Sequence, residues 1–324
     1  MRAAFYETQG PAREVLKVGT MADPTPGPDE LRIRVAASGI NPGDIKKRQD
    51  VFGYGMPYPR VIPHSDGAGV VDLVGKDVPT DWIGRRVWCY GAQSYRPFGT
   101  AAEYVVLPVG QVATLPESLP FAQGACLGIP AITAHRCVHV AGPVAGRTVL
   151  VQGGAGAVGV CAVQLARRAG AIVIATVRSS PDEAVARQAG AHHVLRLGTD
   201  LTDRVRTLAP DGVHHIVEVA FGANIATDLE LLAVRGSVAT YATDAGSPAI
   251  PFWPLLFKNI RVDFLGSDDF TPADKAEAAR AVNEALVAGW VGMPIAARFP
   301  LEEIATAHEA LEASRQRGRV IVTL

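Results

Sequence analysis

Cysteine, aromatic residues and excess charge are all scarce in this chain of 324 residues. Its four cysteines, Cys89, Cys126, Cys137 and Cys161, are too scattered for a disulfide framework. The formal net charge of -1 gives no electrostatic case for binding nucleic acid or a membrane surface. No apolar run approaches the roughly 18 residues of a transmembrane helix, and Arg2 places a charge too early for a signal peptide. We therefore expect a soluble, cytoplasmic protein with reduced thiols.

Glycine, in contrast, occurs in an informative pattern at the centre of the chain. The motif Gly154-Ala-Gly156-Ala-Val-Gly159 follows Thr148 to Gln152, a β-branched apolar run typical of a buried parallel strand. Apolar residues then recur at helical spacing from Ala157 to Arg168, Gly170 ends this helix, and Ile172 to Val177 indicates a second buried strand. The segment is predicted to be a strand, a glycine turn, a helix and a strand.

This order explains what the glycines do. The first permits a tight turn, the second lacks a Cβ and lets a pyrophosphate approach the backbone, and the third allows close packing of helix and strand. The helix N-terminus offers unpaired N–H groups and a partial positive charge to phosphates. A purely structural turn is the alternative, but the complete strand, turn, helix and strand favour a dinucleotide site. We expect the cofactor to contact Gly154, Gly156, Ala157, Val158 and Gly159.

The rest of the chain divides by pattern. Residues 1–120 contain short strand-like runs between proline and glycine clusters, which predicts an antiparallel β domain: Arg2 to Tyr6, Glu30 to Ala37, Ala68 to Val74, Arg86 to Tyr90 and Ala101 to Leu107. Residues 121–266 alternate strand and helix patterns, which predicts a doubly wound parallel sheet. Further predicted elements are a helix over Leu119 to Val140 broken at Gly128-Ile-Pro130, helices over 272–290 and Leu301 to Ser314, and a strand over Arg319 to Leu324.

Several segments outside the glycine motif carry a family resemblance. They are Ser38-Gly-Ile-Asn-Pro-Gly-Asp44, Pro63-His-Ser-Asp-Gly-Ala-Gly69, Gly99-Thr-Ala-Ala-Glu-Tyr104, Gly128-Ile-Pro-Ala-Ile-Thr-Ala134 and Gly318-Arg-Val-Ile-Val322. With them the chain resembles, end to end, the zinc-free quinone oxidoreductase (zeta-crystallin-like) branch of the medium-chain dehydrogenase/reductase superfamily. The resemblance implies an α/β fold with a GroES-like domain, residues 1–120 and 267–324, and an inserted Rossmann domain, residues 121–266. It also implies a cleft between the domains and a homodimer through the last sheet strand.

The sequence also differs from the zinc-dependent relatives. They place a cysteine where this chain has Asn41 and a Gly-His-Glu where it has Pro63-His64-Ser65, and they carry a lobe of closely spaced cysteines. Catalytic zinc needs three protein ligands; His64 and Asp66 have suitable side chains, but no third ligand is evident. The pairs His192-His193 and His214-His215 lie beside strands of the nucleotide domain. We therefore predict no metal site, which argues against alcohol oxidation with zinc as the Lewis acid.

The end of the second strand of the nucleotide domain bears on cofactor choice. An acidic residue there favours NAD, whereas an arginine suits the 2′-phosphate of NADP. This chain has Arg178 and Ser179, which predicts NADPH, with a solvated loop arginine as the alternative. Similar enzymes often add a lysine near Glu183 and a tyrosine near Leu197, so the resemblance leaves Arg178, Ser179 and Arg319 as the cofactor contacts.

The resemblance also suggests residues at the reaction centre. Thr133 resembles the family threonine near the nicotinamide ribose, with a helix-facing threonine as the alternative. Asn41 is similar to the asparagine that faces nicotinamide and substrate, although an Asx-turn before Pro42 is also compatible. Tyr241 follows a strand of the nucleotide domain, and either cofactor contact or aromatic packing explains it. Tyr54 or Tyr58 donates a hydrogen bond or a proton to substrate, or forms an aromatic wall.

The predicted activity is an NADPH-dependent, zinc-free reduction of quinones or other α,β-unsaturated carbonyl acceptors. Hydride chemistry belongs to the cofactor, while the protein supplies position and electrostatics. Reduction of enoyl thioesters or 2-alkenals is the alternative within enzymes, because such enzymes share the fold and the cofactor. A non-catalytic, crystallin-like NADPH-binding protein is the alternative outside enzymes. The expected partners are a small-molecule quinone or enone and a second copy of the chain.

Overall fold

A computed structural model describes residues 1–313 and 317–324 of the chain. They form two compact units. The β unit comprises Met1–Ile129, Lys275–Asn283 and Gly292–Leu324, and the α/β unit comprises Pro130–Asp274 and Glu284–Val291. Across the described residues, no helix has the combined length and apolar character needed to cross a membrane.

The elements follow one another in chain order as follows. Residues 1–140 contain β1 (Arg2–Phe5), α1 (Ala12–Val15), β2 (Lys17–Thr20), β3 (Glu30–Gly39), α2 (Pro42–Arg48), β4 (Asp66–Val74), β5 (Arg86–Cys89), β6 (Tyr104–Pro108), β7 (Val112–Thr114), α3 (Phe121–Gly124) and α4 (Gly128–His139). Residues 141–265 contain β8 (Thr148–Val151), α5 (Ala157–Arg168), β9 (Ile172–Val177), α6 (Ser180–Gln188), β10 (His193–Arg196), α7 (Leu201–Leu208), β11 (Val213–Glu218), α8 (Phe221–Leu231), β12 (Leu232–Thr240), α9 (Phe252–Phe257) and β13 (Arg261–Phe264). The C-terminal part contains α10 (Pro272–Val287), β14 (Ile295–Pro300), α11 (Ile304–Glu312) and β15 (Arg319–Thr323).

The β unit is built on a mainly antiparallel sheet. Its order is β14-β15-β3-β4-β5-β7, and β6 also pairs with β3. Only the β14–β15 pair among the described strands of this sheet runs parallel. Alternate residues of β3, Leu31, Ile33 and Val35, point into a core that also receives Val87 and Leu107. Because β15 pairs with β3, the C-terminal strand belongs to the same sheet as the N-terminal third of the chain.

The α/β unit is built on a parallel sheet of six strands within the described residues. The order β10-β9-β8-β11-β12-β13 reverses direction between β8 and β11, which is the arrangement of a doubly wound nucleotide-binding fold. Leu150, Ile174, Ile216 and Val238 from four of these strands are buried in one core. In such sheets ligands bind outside the carboxyl ends of the strands, at the point where the order reverses. That point lies beside the glycine turn after β8.

Most predicted elements are confirmed, and the long helix before β8 needs correction. The predicted break at Gly128-Ile-Pro130 is wrong, because α4 begins at Gly128 and Pro130 lies in its first turn. Proline is tolerated there because the first N–H groups of a helix have no partner inside the helix. The interruption falls instead between α3 and α4. The helix predicted over 272–290 ends at Val287, and the predicted end at Ser314 lies outside the described residues.

Candidate cofactor site

The glycine turn between β8 and α5 has one open face. Gly153 has φ of 70°, a left-handed conformation that favours glycine. A Cβ on Gly154 would lie 2.7 Å from the Cβ of Ala175, and one on Gly159 would overlap the carbonyl oxygen of Gly153. At the exposed Gly156, a Cβ would have only the Gly153 oxygen, at 3.3 Å, within 4 Å among the described atoms considered. The first and third glycines of the motif are therefore required by packing, and the second leaves room for a ligand.

Helix α5 begins on this open face. Gly156 is its N-cap residue, and Ala157 and Val158, the first helical residues, are partly exposed. The first backbone N–H groups of a helix point away from it without intrahelical acceptors, and the helix dipole adds a partial positive charge. Of the predicted contacts, Gly156, Ala157 and Val158 lie on this open face, whereas Gly154 and Gly159 are buried. Residues of this kind fit the pyrophosphate of a dinucleotide.

Thr133 lies on α4 and is 4% exposed, and its hydroxyl has no partner among the described residues. A buried polar group without a hydrogen bond costs roughly 1–3 kcal/mol. Threonine in a helix can satisfy its hydroxyl by donating to the carbonyl four residues earlier, but Thr133 does not. The alternative of an ordinary helix-facing threonine leaves this cost unexplained. A sugar hydroxyl of a bound nucleotide would remove it.

Tyr241 follows β12 at the carboxyl edge of the parallel sheet. Its backbone N–H donates to the carbonyl oxygen of Glu218 at 3.3 Å, and the residue as a whole is partly exposed. Desolvation raises the pKa of Tyr241 well above its ordinary value, with Cys137 and Glu218 adding to the effect. The hydroxyl therefore stays protonated at neutral pH and can donate a hydrogen bond.

Arg178 and Ser179 lie just beyond the carboxyl end of β9. Arg178 is exposed, and within residues 1–313 and 317–324 it makes no ion pair or side-chain hydrogen bond. Ser179 is the N-cap of α6 and donates its hydroxyl to Asp182. Arg178 is thus available to a phosphate, whereas Ser179 has to leave Asp182 before it can donate to one.

A second arginine, which the sequence analysis missed, lies at the same corner of the sheet. Arg196 ends β10 and pairs in register with Val177, the residue before Arg178. Its Nε lies 3.0 Å from Glu183 Oε1, and its Nη1 donates to Ser180 Oγ at 3.2 Å. The signal in the sequence was the predicted pairing of neighbouring parallel strands, since their carboxyl ends meet at one edge. The corner therefore carries two cationic side chains beside the start of α6.

In the β unit, Asn41 is held by two charged residues. Its Nδ2 donates to Asp66 Oδ2 at 2.8 Å, and its Oδ1 accepts from Arg319 Nη1 at 2.7 Å. Arg319 Nη2 also donates to Asp66 Oδ2 at 3.3 Å, and all three side chains are at most 5% exposed. Because arginine only donates and an ionised carboxylate only accepts, these partners determine the orientation of the amide. One N–H of Asn41 Nδ2 remains for another acceptor.

Asp66 and Asp44 anchor the two helices next to Asn41. The backbone N–H of Ile129, at the start of α4, donates to Asp66 Oδ1 at 2.7 Å. The backbone N–H of Asn41, the N-cap of α2, donates to Asp44 Oδ2 at 2.7 Å. Burial raises the pKa of Asp44 to about 7, against the opposing effect of the hydrogen bond from Asn41. Asn41 and Asp44 form the capping box at the start of α2, so a local role of Asn41 coexists with the longer-range contacts of its side chain.

The same residues do not fit a zinc ion. The guanidinium of Arg319 already neutralises Asp66, and His64 uses both ring nitrogens, Nδ1 with Ser38 Oγ at 2.8 Å and Nε2 with His308 Nε2 at 2.9 Å. Within the described part of the chain, no group of three or more His, Cys, Asp or Glu is arranged to hold a metal. His215 bonds Ser237 and the carbonyl of Cys137, and His192 accepts from Val173 N–H. These histidines have structural partners.

The two candidate tyrosines differ in exposure. Tyr54 is 88% exposed in the loop after α2, where its ring stacks on Phe52 with centroids 6.0 Å apart. Tyr58 donates its hydroxyl to the carbonyl oxygen of Tyr95 at 2.6 Å. Tyr54 therefore keeps a hydroxyl in solvent, whereas Tyr58 is committed to a contact within its own unit.

An open glycine turn at the switch point of a doubly wound sheet places the α/β unit in the class of dinucleotide-binding folds, and the same chain contains an antiparallel β unit. Two family models match: the alcohol dehydrogenase GroES-like domain over residues 27–117 and the zinc-binding dehydrogenase over residues 157–284. The chain is 34% identical to rat quinone oxidoreductase over 334 residues, covering 100% of this chain and 98% of the relative. The chain belongs to the medium-chain dehydrogenase/reductase superfamily, in its quinone oxidoreductase branch. The predicted family and fold class are confirmed.

Solved structures agree with this assignment over the whole chain. A mycobacterial protein complexed with NADPH matches with a TM-score of 0.85 at 27% identity, covering 100% of both chains. A protein described as an NAD-dependent alcohol dehydrogenase matches with a TM-score of 0.86 at 27% identity, again covering 100% of both chains. Chains similar to this one thus include an NADPH complex and a protein described as NAD-dependent.

Proposed function

We propose that this protein is an NADPH-dependent oxidoreductase that transfers hydride to quinones or other α,β-unsaturated carbonyl acceptors, without zinc. The observation that carries the proposal is the similarity, over the full chain, to quinone oxidoreductases. The NADPH complex of the mycobacterial relative and the open glycine turn support the choice of a nicotinamide cofactor. The proposed domain limits, residues 1–120 with 267–324 and residues 121–266, differ from the two compact units at residues 121–129, 267–274 and 284–291.

In this proposal the α/β unit holds the cofactor. The turn from Gly154 to Gly159 and the N-terminus of α5 bind the pyrophosphate, and the free hydroxyl of Thr133 bonds a ribose hydroxyl. Arg178 pairs with the 2′-phosphate, with Ser179 beside it, and Tyr241 donates at the sheet edge. When bound, the nicotinamide supplies the hydride. Arg319, also proposed as a cofactor contact, is buried against Asn41 and Asp66.

The β unit contributes the polar groups proposed for the acceptor. As an acceptor is reduced, negative charge develops on its oxygen, and fixed donors stabilise such a charge best. The remaining N–H of Asn41 is such a donor, because Asp66 and Arg319 prevent the amide from turning. Tyr54, whose hydroxyl is exposed, is proposed to deliver the proton.

The test is NADPH oxidation by the purified protein with a panel of benzoquinones, naphthoquinones, simple enones, 2-alkenals and enoyl thioesters. We expect turnover with quinones or enones that is unchanged by chelators, with no stoichiometric zinc by elemental analysis. Preferred turnover of thioesters or alkenals would assign the protein to that group instead. NADPH binding without turnover of any acceptor would make it a binding protein, and loss of turnover on zinc removal would refute the metal-free mechanism.

We also propose that the protein forms a homodimer through the edge strand β13. This strand pairs with β12 on one side and ends the described sheet. Large apolar side chains near it are exposed: Phe252 at 61%, Trp253 at 63%, Phe257 at 74% and Phe264 at 62%. An exposed edge strand beside such a surface is a pairing site. Sedimentation should give a dimer, and Trp253→Lys with Phe257→Lys should give a monomer; a monomeric wild type would contradict the proposal.

A further inference from the structure

Two buried carboxyl groups lie beneath the glycine turn, and the proposed chemistry does not use them. Glu218 ends β11 and Asp228 lies on α8, and both are 0% exposed. Glu218 accepts from the backbone N–H of Ala220 and from Asn224 Nδ2, at 3.0 Å to Oε1 and 3.2 Å to Oε2. Two buried carboxylates side by side repel each other strongly, so such a pair holds a proton.

The hydrogen bonds show which carboxyl carries it. Asp228 Oδ1 accepts from Gln152 Nε2 at 2.9 Å, while its buried Oδ2 has no donor among the described residues. Asp228 is next to Glu218, close enough for a side-chain hydrogen bond, which a proton on Asp228 Oδ2 would make. Burial and Glu218 together raise the pKa of Asp228 well above its ordinary value, and the bond from Gln152 opposes this only in part. Glu218, in contrast, already accepts from two donors of its own.

From Asp228 the hydrogen bonds continue to the glycine turn. Thr176 on β9 donates its hydroxyl to Gln152 Oε1 at 2.6 Å. The same hydroxyl oxygen accepts from the backbone N–H of Gly153 at 3.2 Å, and the carbonyl of Thr176 accepts from Gly154 N–H at 2.8 Å. Gln152 and Thr176 are at most 3% exposed. These side-chain bonds run in one direction, from the N–H of Gly153 to the carboxyl group of Asp228.

We propose that Asp228 and Glu218 are positioning residues, which share one proton and, through Gln152 and Thr176, hold the glycine turn in the conformation that binds the cofactor pyrophosphate. The proposal rests on the proposed function, because it presumes that the turn binds NADPH. Ionisation of Asp228 would remove the donor to Glu218 and place two like charges in contact. The strain falls on Gln152 and the turn, so NADPH affinity decreases as the pH rises through the pKa of Asp228.

Other charged groups near the pair are accounted for. Glu230 on α8 pairs with Arg206 of α7 on the surface, and Lys258 after α9 donates to the carbonyl oxygens of Leu229 and Leu232. Tyr241 faces Glu218, and its own pKa is raised. Because these groups are the same in all variants below, a comparison of variants isolates Asp228.

The experiment measures NADPH dissociation constants by fluorescence titration of the full chain between about pH 5 and pH 10, because the pKa of Asp228 is raised above its ordinary value. The 2′-phosphate changes its ionisation near about pH 6 in the same way for every variant. Asp228→Asn keeps both hydrogen bonds without a titrating proton, since its Nδ2 donates to Glu218. We expect it to bind within about twofold of wild type at the acid end of this range and to lose the decrease in affinity that wild type shows as the pH rises. Gln152→Leu breaks the link to the turn, and we expect about tenfold weaker binding that does not vary with pH. Glu230→Gln, exposed on the same helix, is the matched control and should behave as wild type.

A merely structural role for the pair predicts a different result. Asp228→Asn and Gln152→Leu would then change thermal stability while the pH profile of NADPH binding stayed that of wild type. That result, or a wild-type profile identical to that of Asp228→Asn, overturns the proposal and leaves the proposed function intact. Failure of the wild type to bind NADPH at any pH overturns both together.

Discussion

Gly156 differs from the other two glycines of its motif in what a side chain would touch. Its φ of -73° suits any residue, and a Cβ there would lie 3.3 Å from the Gly153 oxygen, a contact that a shift of a few tenths of an ångström relieves. Gly156→Ala should therefore fold with nearly wild-type stability but obstruct the pyrophosphate. We expect the NADPH dissociation constant to rise at least about tenfold, roughly 1.4 kcal/mol, with a melting temperature within about 2 °C of wild type.

The matched comparison is Gly154→Ala, whose Cβ would lie 2.7 Å from that of Ala175. This variant should lose stability, by roughly 1–3 kcal/mol, because overpacking a closed site forces the backbone to move. Gly110→Ala controls for the added methyl group, because a Cβ at Gly110 would have no described atom within 4 Å among those considered. Equal NADPH affinity in wild type and Gly156→Ala would show that no ligand approaches the turn.

Arg178 provides the test of cofactor choice. It is exposed and unpaired within the described residues, so Arg178→Asp removes no internal contact and places a carboxylate where a 2′-phosphate would lie. A lost charge-assisted hydrogen bond is worth roughly 1.5–3 kcal/mol. We expect kcat/KM for NADPH to fall at least about tenfold, and that for NADH to change far less or to improve, since aspartate accepts from a ribose 2′-hydroxyl.

Arg187→Asp is the control for charge alone, because Arg187 is exposed on α6 and pairs with Glu183 one turn away. The Arg187→Asp variant should have the same kcat/KM as wild type for NADPH and for NADH at the same ionic strength. An absence of NADPH preference in the wild type, or undiminished NADPH efficiency in Arg178→Asp, would refute the 2′-phosphate contact. After such a result, Arg196, which contacts Glu183 and Ser180 at the same corner, would be the remaining cation to test as a contact of the 2′-phosphate.

Among the residues proposed for the site, sequence reasoning identified side chains but not their partners. The motif around Asn41 indicated its importance, yet nothing local showed that Arg319, 278 positions later, would determine its orientation. Gln152 follows β8, Thr176 lies on β9 and Asp228 lies on α8, and none of them belongs to a motif. Such partners depend on strand order and register, which a pattern of residue types does not contain.

Elements of the α/β unit were the easiest to predict. The bounds of α5 and β9 match the sequence pattern, because each has a complete apolar period and α5 has a clear terminator in Gly170, with φ of 83°. Several elements of the β unit were not predicted from the sequence. Helix α2 has one strongly apolar buried residue, Ile45. Strand β7 has three residues and forms through pairing with β5. β14 pairs only with β15 among the described strands. Short elements fixed by distant partners lack the periodicity that makes a pattern visible.

Strand β15 begins at Arg319, whose charge is buried with Asp66 and Asn41. Breaking a buried ion pair by removing one partner typically costs roughly 3–5 kcal/mol, because the other charge stays without compensation. Arg319→Met retains much of the side-chain volume, so the lost charge dominates. We expect the free energy of unfolding of the β unit to fall by about 3 kcal/mol in urea denaturation.

Arg298→Met on the neighbouring β14 is the control, because Arg298 is exposed and should change stability by less than about 0.5 kcal/mol. The double variant Arg319→Met, Asp66→Asn removes both charges and should recover part of the loss. If Arg319→Met has the same free energy of unfolding as Arg298→Met, the ion pair does not stabilise β15. Addition of Zn²⁺ should not restore either variant, since His64 remains bonded to Ser38 and His308.

The molecule as a whole buries ionisable groups whose effects on stability oppose each other. In the β unit, burial and then the charge of Arg319 lower the pKa of His64 to about 3, and burial, followed by His64 and Arg48, lowers the pKa of His308. In the same unit burial raises the pKa of Asp44 to about 7. The α/β unit has the corresponding pair: burial lowers the pKa of His215 and raises that of Asp228. Between about pH 4 and pH 6.5, unfolding therefore takes up protons at the histidines and releases them from the carboxyl groups.

Single substitutions should separate these opposing contributions. A neutral buried histidine favours folding above its unfolded pKa of 6.5, and this stability is lost as the pH falls toward the folded value, by up to about 1.4 kcal/mol per pH unit. A protonated buried aspartate favours folding below its unfolded pKa of 3.8, and that stability is lost as the pH rises toward about 7.

Relative to wild type, His308→Gln should therefore become less destabilised as the pH falls from 6.5 to 4.5, and Asp44→Asn should become less destabilised as the pH rises over the same range. His193→Gln, exposed on β10, should follow the wild-type curve. The measurement is the free energy of unfolding in urea at several pH values, and parallel curves for all four proteins would show that these buried groups titrate alike in the folded and unfolded chains.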